Sequence, residues 1–475
     1  MFFSFGAERD ILLSIAKSSG LEILWQTYGY GFLISAVATI FGMSWAYICR
    51  SYQFKFKLAL IWLLAAPVTI PIYVFSFTYL SHWQNWISYE KPHFLFGLVF
   101  VLATYPYSFL FGLLAFQKRS QTLSDQAELM GWTSWQKMKL LRWPMIRPYA
   151  FASFLTVYFE YLSDFGASHI FGIQTLSTTI YKIWNSYFSF STASLIALFL
   201  MMTVIGILGI DRLRREYSFA TETHDAKKAL PFPNLFYFAA LTTVCFAFLV
   251  PLGTLFFDTF HHFEQWPQVL LALKNSILLS TSFSIFLVTL LSFGIFLFAR
   301  DNLWLTRLRA LNQFGYALPG TSLAVAVTIP FFLLQRYIPD LAGAETFAIC
   351  VLFFAWTIRF IKVAWDPLEK SRLYFSTSVE DAAQIFYNNK FKRWLEVYFP
   401  LIRSGLLTAF FILFIESMKE LPITLLTRPY GWDTLTVKIF EFTSESEWQK
   451  AAPYGLIIVI FCLINFSLLL RKGIK

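Results

Sequence analysis

DQAELMGWTSWQKMKLLRWPMIRP (residues 125–148) and DAAQIFYNNKFKRWLEVYFPLIRS (residues 381–404) are charged stretches in an otherwise apolar chain, and they share one plan. Each opens on an acid, Asp125 or Asp381, followed by an alanine-containing helical turn with Ala127, or with Ala382 and Ala383. A turn position follows six residues after the acid, at Gly131 or Tyr387. An amphipathic stretch then leads to a proline thirteen residues further on, Pro144 or Pro400. Small residues let a short helix sit close to a partner surface, and glycine suits a tight turn. The prolines are expected to end the short helix and to open the next one.

The likeness continues outward from the loops. Asp125 and Asp381 lie 256 residues apart, and so do Pro144 and Pro400, Glu160 and Glu416, and Asp164 and Glu420. TLSTTIY (175–181) matches TLTVKIF (434–440) at an offset of 259, so three residues have been inserted. Upstream, AAPVTIP around Pro67 resembles ALPGTSL around Pro319 at an offset of 252. A constant offset across a loop and a helix marks a duplicated module. Internal repeats are common in transporters, whose halves rock about a shared pathway, though they do not identify what drives transport.

Composition makes the bilayer the solvent. Of 475 residues, 57% are hydrophobic and 14% charged, with mean hydropathy +0.57; an ordinary soluble domain has about 25% charged residues. The formal charge of +10 is read as basic residues gathered in cytoplasmic loops, not as a nucleic-acid surface. Apolar runs of membrane-crossing length lie near 28–50, 58–80, 93–116, 150–172 and 192–210, and then near 234–258, 275–299, 311–335, 345–366, 404–424 and 451–470. Most of the 38 Lys and Arg residues fall on one side when segments 117–149 and 367–403 are made cytoplasmic. The amino terminus is then expected outside and the carboxyl terminus inside.

The expected organisation is all-α, a polytopic helical bundle. A short periplasmic segment (1–27), which reads as no cleavable signal, precedes a first module (28–210) of five spans with its loop at 117–149. A charged linker (211–233) leads to a second module (234–475) of six spans with its loop at 367–403. Prolines inside spans, Pro67, Pro71, Pro106, Pro319 and Pro330, are expected to kink helices.

Cys49, Cys245, Cys350 and Cys462 stand far apart in apolar stretches and read as packing residues. His261-His262 is a loop pair, and no histidine or cysteine spacing suggests a metal centre. There is no GxxxxGK[ST] phosphate loop and no catalytic constellation. Any ATP-driven work must therefore draw on another polypeptide.

Ionisable groups inside spans cost at least ~2.5 kcal/mol each on insertion scales. Glu160 and Asp164 are four residues apart and share a helical face, as do Glu416 and Glu420, with Lys419 beside them. Two readings stand. The four acids line a cation route, or they are structural, paired with Lys419, Arg359 or Lys362 or set in polar water near the outer surface.

The spacing Asp-x-Ala-x-x-x-Gly-x12-Pro resembles the EAA loop of binding-protein-dependent ABC importer permeases. SDFGASHIFGIQTLSTTIYKIW (163–184), KELPITLLTRPYGWDTLTVKIFEFTSESEW (419–448) and GYALPG (315–320) are similar to stretches of fused, two-module ferric-iron permeases. The resemblance runs from about residue 28 to the end. It implies a type I importer permease fold in a bacterial inner membrane. It implies that Asp125, Ala127, Gly131 and Pro144, and Asp381, Ala382, Ala383, Tyr387 and Pro400, belong to loops that dock two copies of an ABC ATPase. Those ATPases would use the ATP, and the chain itself would bind no cofactor. A periplasmic iron-binding protein would deliver the cargo, with loop 425–450 (Tyr430, Trp432, Asp433, Trp448) a candidate docking surface or a plain solvated loop. The span holding the acids lines the pathway in such permeases, and carboxylate oxygens suit a hard cation such as Fe(III).

Three features depart from the family pattern. Tyr387 replaces the usual glycine, Gln126 and Glu128 replace small residues, and the first half shows five spans where six are usual. The two loops are therefore expected to couple unequally. The competing expectations are the same architecture carrying thiamine, a polyamine or a phosphonate, and an ion-gradient-driven secondary transporter using the buried acids as proton relays.

Overall fold

The computed structural model describes residues 13–14, 17–83, 92–117, 126–214, 228–229, 232–261, 266–297, 315–337, 343–373 and 377–473. In the first half, α1 (Gly20–Ser51) is followed by α2 (Lys57–Ala65), α3 (Ile72–Trp83), α4 (Pro92–Gln117), α5 (Trp143–Ser163), two short helices α6 (Gly166–Ile170) and α7 (Leu176–Asn185), and α8 (Phe190–Arg214). The second half runs α9 (Pro233–His261), α10 (Trp266–Leu297), α11 (Gly320–Tyr337), α12 (Ala344–Leu373), α13 (Thr377–Phe386), α14 (Phe399–Met418), α15 (Pro422–Thr427), α16 (Leu435–Ser444) and α17 (Trp448–Gly473). Between the halves, Tyr52–Gln53 pairs in parallel with Lys228–Ala229.

Among the described residues eight helices are long and apolar enough to cross a bilayer, or nine if α2 and α3 form one broken span. Helices stand at all eleven expected places, but their extents differ. The expected span at 58–80 bends by 90° between α2 and α3. Pro67 lies in a 3-10 turn (Ala66–Thr69), and Ile70, directly before Pro71, is forced into extended backbone at ψ 114°. Proline's ring disfavours helical geometry in the residue before it, so the helix must stop there. The expected spans at 150–172 and 404–424 end early, at Ser163 and Met418. The apolar part of α11 covers only Gly320–Leu334.

Pro144 and Pro400 do not end a helix. Each is the second residue of its long α-helix and follows a π-helical turn, Lys137–Arg142 or Trp394–Tyr398. The wider turn absorbs the clash between a proline ring and the preceding carbonyls, so the helix runs on.

The duplication is visible in local devices. Thr175 caps α7 by accepting from Thr178 N–H, and Thr434 caps α16 by accepting from Val437 N–H, at the sequence offset of 259. The halves also exchange helices. First-half α8 packs on second-half α11, and second-half α17 packs on first-half α3. Helix α9, assigned to the second module by sequence, buries Phe236, Ala240 and Val244 against Met43, Trp45 and Tyr105 of the first. The largest core cluster runs from Ile34 through Phe165 and Phe414 to Cys462, so both halves share it.

Candidate functional site

Helices α5 and α14 descend from the repeated loops and bring their acids to one cavity of roughly 110 Å³. Its walls include Tyr107, Glu160, Ser163 and Asp164 from the first half and Tyr316, Arg359, Glu416, Lys419 and Glu420 from the second. Residues equivalent by the repeat offsets thus line one cavity. Beyond the ends of α5 and α14 the equivalent rings of Tyr181 and Phe440 lie 5.6 Å apart, and Phe165 and His169 pack at a tilt against Phe440. Phe165 of this cluster also lines the cavity.

The four acids divide into two kinds. Asp164 sits just past the end of α5 with extended backbone and turns its carboxylate to the start of α6. It accepts from Ser168 N–H and Oγ, both at 2.8 Å, and from Ala167 N–H at 3.3 Å. Glu420 does the same for α15, accepting from Ile423 N–H at 3.0 Å and from Thr424 N–H and Oγ1 at 2.9 Å. Trp356 Nε1 adds a fourth donor at 3.4 Å. Both acids are helix caps, and the positive helix ends offset their charge. The sequence expectation that each shares a face with its partner acid is corrected here, because each lies beyond its helix and is spoken for by backbone donors.

Glu160 and Glu416 line the same cavity but are held by side chains, and the pairing of an acid with Lys419 that the structural reading expected is present at Glu416. Tyr316 Oη donates to Glu160 Oε1 at 3.1 Å, and Lys419 Nζ lies 2.7 Å from Glu416 Oε1. Arg359 does not pair with these acids; it donates to Leu318 O at 2.9 Å and Ser163 Oγ at 3.0 Å, and its Nε is buried without a partner. Tyr316 is held in place by Gly315, whose backbone lies so close to the Ile358 carbonyl that an added Cβ would sit 1.8 Å from it. Tyr107, Tyr316 and the placing of Arg359 were not singled out by sequence. The signal existed, since Tyr107 and Arg359 are repeat equivalents at offset 252.

Tyr316 also lines a second cavity, of about 1230 Å³, on the side nearer the loops. Its walls again pair equivalents: Pro148 with Ser404, Tyr149 with Gly405, and Ala152 with Thr408.

The loops themselves turn differently. In the first, Gly131 adopts φ +73°, Trp132 N–H bonds Ala127 O at 2.9 Å, and Gly131 N–H bonds Glu128 O at 3.0 Å. This is a Schellman closure, which favours glycine because an L side chain is strained there. In the second, Tyr387 bonds back to Ala383 O with φ outside the left-handed region, and Asn389 caps the next turn by accepting from Phe391 N–H at 2.9 Å. Tyr387 can therefore stand where glycine is usual. Ala127 and Ala383 are buried, while Ala382 and Asp381 are exposed; Asp125 lies outside the described residues.

Large apolar side chains point outward from both loops. Leu129 and Met130 are 89% and 73% exposed, and their equivalents Ile385 and Phe386 are 79% and 80% exposed. Trp135 and its equivalent Phe391 are exposed too. Matched exposed apolar side chains thus stand on both repeated loops. On the opposite side, Arg428 and Lys438 bridge Asp433 and Glu441, Tyr430 is fully exposed, and Trp432 Nε1 donates to Glu345 at 2.7 Å.

No family model matches the chain. It is 24% identical to the Fe(3+)-transport system permease protein FbpB 2 of Haemophilus influenzae, over 96% of this chain and 90% of that one. It is also 24% identical to the ferric transport system permease protein FbpB of Actinobacillus pleuropneumoniae, over 114 residues that make up 24% of this chain and 16% of that one. Over 96% of its length the chain is similar to a ferric-iron transport permease, and its polytopic helical fold agrees with that similarity.

Proposed function

We propose that this chain is the two-module permease of an ATP-driven inner-membrane importer, with both halves of the pathway on one polypeptide and ferric iron as cargo. The observation that carries the reading is the matched pair of loops, each presenting equivalent exposed apolar residues at the base of a helix that runs to the shared cavity. Two copies of an ABC ATPase dock there, one on Leu129, Met130 and Trp135 and the other on Ile385, Phe386 and Phe391. Movement of the loops passes along α5 and α14 to Glu160 and Glu416. The chain binds no cofactor, and ATP is used by the docked subunits.

The cargo reading rests on the similarity to the ferric permeases and on the chemistry of the cavity, whose carboxylates and phenols are hard oxygen donors. In this arrangement the aromatic cluster closes the outer side, while the larger cavity leads toward the loops. Iron delivered by a periplasmic binding protein enters past Phe165 and Phe440, and Tyr316 stands between the two cavities. The outer loop with Tyr430 and Trp432 is the docking surface for that protein, the amino terminus lies outside and the carboxyl terminus inside.

Uptake of radiolabelled ferric iron by cells with and without the gene tests the reading. Loss of uptake on deletion, restored by the gene on a plasmid, is expected. Undiminished iron uptake with loss of thiamine, polyamine or phosphonate import would overturn the cargo and keep the machine. Transport that persists without any ATPase would overturn the machine as well.

A further inference from the structure

We propose that Lys419 is a tethered counter-ion that occupies the cargo's place: its ammonium neutralises Glu416 in the empty cavity, and a trivalent cation binds there by displacing it. The proposal rests on the pathway reading above and names how the site chooses its cargo.

The geometry singles out this pair. Asp164 and Glu420 are committed to helix ends, which leaves Glu160 and Glu416 as the acids able to meet a ligand in the cavity. Glu160 is held by the phenol of Tyr316, and Glu416 by Lys419 at 2.7 Å. The other cation on the wall, Arg359, donates instead to a carbonyl and a serine hydroxyl. Arg359 keeps its charge but is fixed on those neutral acceptors, so Lys419 is the cation that an entering ion can displace from a carboxylate. Its equivalent in the first half is Ser163, so the same local fold forms without a lysine at this position. The requirement for the ammonium is electrostatic, not architectural.

The consequence follows from Coulomb's law. The four carboxylates on the wall against Lys419 and Arg359 leave a formal net charge near minus two, which withdrawal of the ammonium makes more negative, and attraction to a guest scales with the guest's charge. A monovalent ion gains little over the ammonium it must replace. A trivalent ion gains most, and the four-carbon lysine stem can withdraw. Among the described residues no three acidic, histidine or cysteine side chains cluster as a closed metal centre. Two carboxylates with two phenols nearby make a point of passage, from which a bound ion can leave.

The test uses the purified full-length permease in detergent and terbium(III), a hard trivalent probe, read by its sensitised luminescence. Lys419→Ser, which installs the first half's residue, is expected to bind terbium at least tenfold tighter than the native chain. Lys419→Arg is expected to match the native chain, and Lys419→Ser with Glu416→Gln to lose the gain. Glu416→Gln alone, which leaves the ammonium unpaired, is expected to bind at least tenfold more weakly. A merely structural lysine would give weaker binding or poor folding on removal, never a gain. Unchanged or weaker terbium binding by a Lys419→Ser protein of native helicity would overturn the proposal. If that variant does not fold, native-strength binding by Glu416→Gln overturns it. Neither result depends on iron uptake, so the pathway reading stands or falls separately.

Discussion

Glu160 and Asp164 of the first repeat have Glu416 and Glu420 as counterparts in the second, yet where the second repeat carries Lys419 and Arg359 the first carries Ser163 and Tyr107. The shared cavity is thus symmetric in its acids and one-sided in its bases. The loops differ in a parallel way. One closes on a left-handed glycine and the other on an asparagine cap, while both offer the same apolar trio outward. What duplication preserved is an exposed apolar trio on each loop, a helix cap and an acid facing the cavity. What diverged is what the fused pair needs only once.

The largest effect is expected from the preserved patch. Met130→Asp together with Phe386→Asp should reduce ferric uptake to background while permease levels by immunoblot stay native. The single changes test equality of the loops. A rigid Schellman turn on one side and a capped turn on the other predict unequal losses, and identical losses would remove the asymmetry from the account. Next in size, Glu160→Gln with Glu416→Gln should lower uptake about tenfold, a barrier change of ~1.4 kcal/mol. Native uptake in that double variant would return these acids to a structural role.

The caps come third. Asp164→Ala or Glu420→Ala removes the acceptor for two buried backbone donors, and each should cost ~1–2 kcal/mol, seen as a lower thermal midpoint of the solubilised chain. Because the two caps are repeat equivalents, their losses should be similar; a cap that matters in one half only would break the comparison. The smallest effect belongs to the outer loop, which the first half lacks in this form. Burial pulls the Asp433 carboxyl up, but hydrogen bonds from Lys438 and Arg428 more than offset it and leave it below its usual value. Its contribution is therefore present above the unfolded value of about 3.9 and is lost as pH falls through the lowered folded value. Asp433→Asn should cost less than ~1 kcal/mol at neutral pH, and the difference between native and variant melting should vanish in acid.

Much of this was legible in the sequence because it repeats. The offset of 256 located the loops, the helices behind them and the acids at their far ends. What it could not show was direction. Glu160 and Asp164 share a helical face only if the helix continues, and it ends at Ser163, so Glu160 reaches the cavity bonded to the Tyr316 phenol while Asp164 caps α6. Pro144 and Pro400 open the long helices as expected, but they do not end the short ones, because a preceding π turn removes the clash of the ring and nothing in the residue types announces it. The bend at Pro67 and Pro71 was expected as a kink, yet two prolines four residues apart, with Ile70 forced extended between them, turn the chain through a right angle. Alanines drew the reading of the loops, whereas burial shows that two of them face inward and the larger apolar neighbours face out.

The central claim is that one chain does the work of two permease subunits, so the most direct test is a count. Native mass spectrometry of the solubilised complex should give one permease chain with two ATPase copies, falling to one copy when either apolar trio is replaced by aspartates. Two permease chains per pair of ATPases, or an ATPase count untouched by the loop changes, would contradict it.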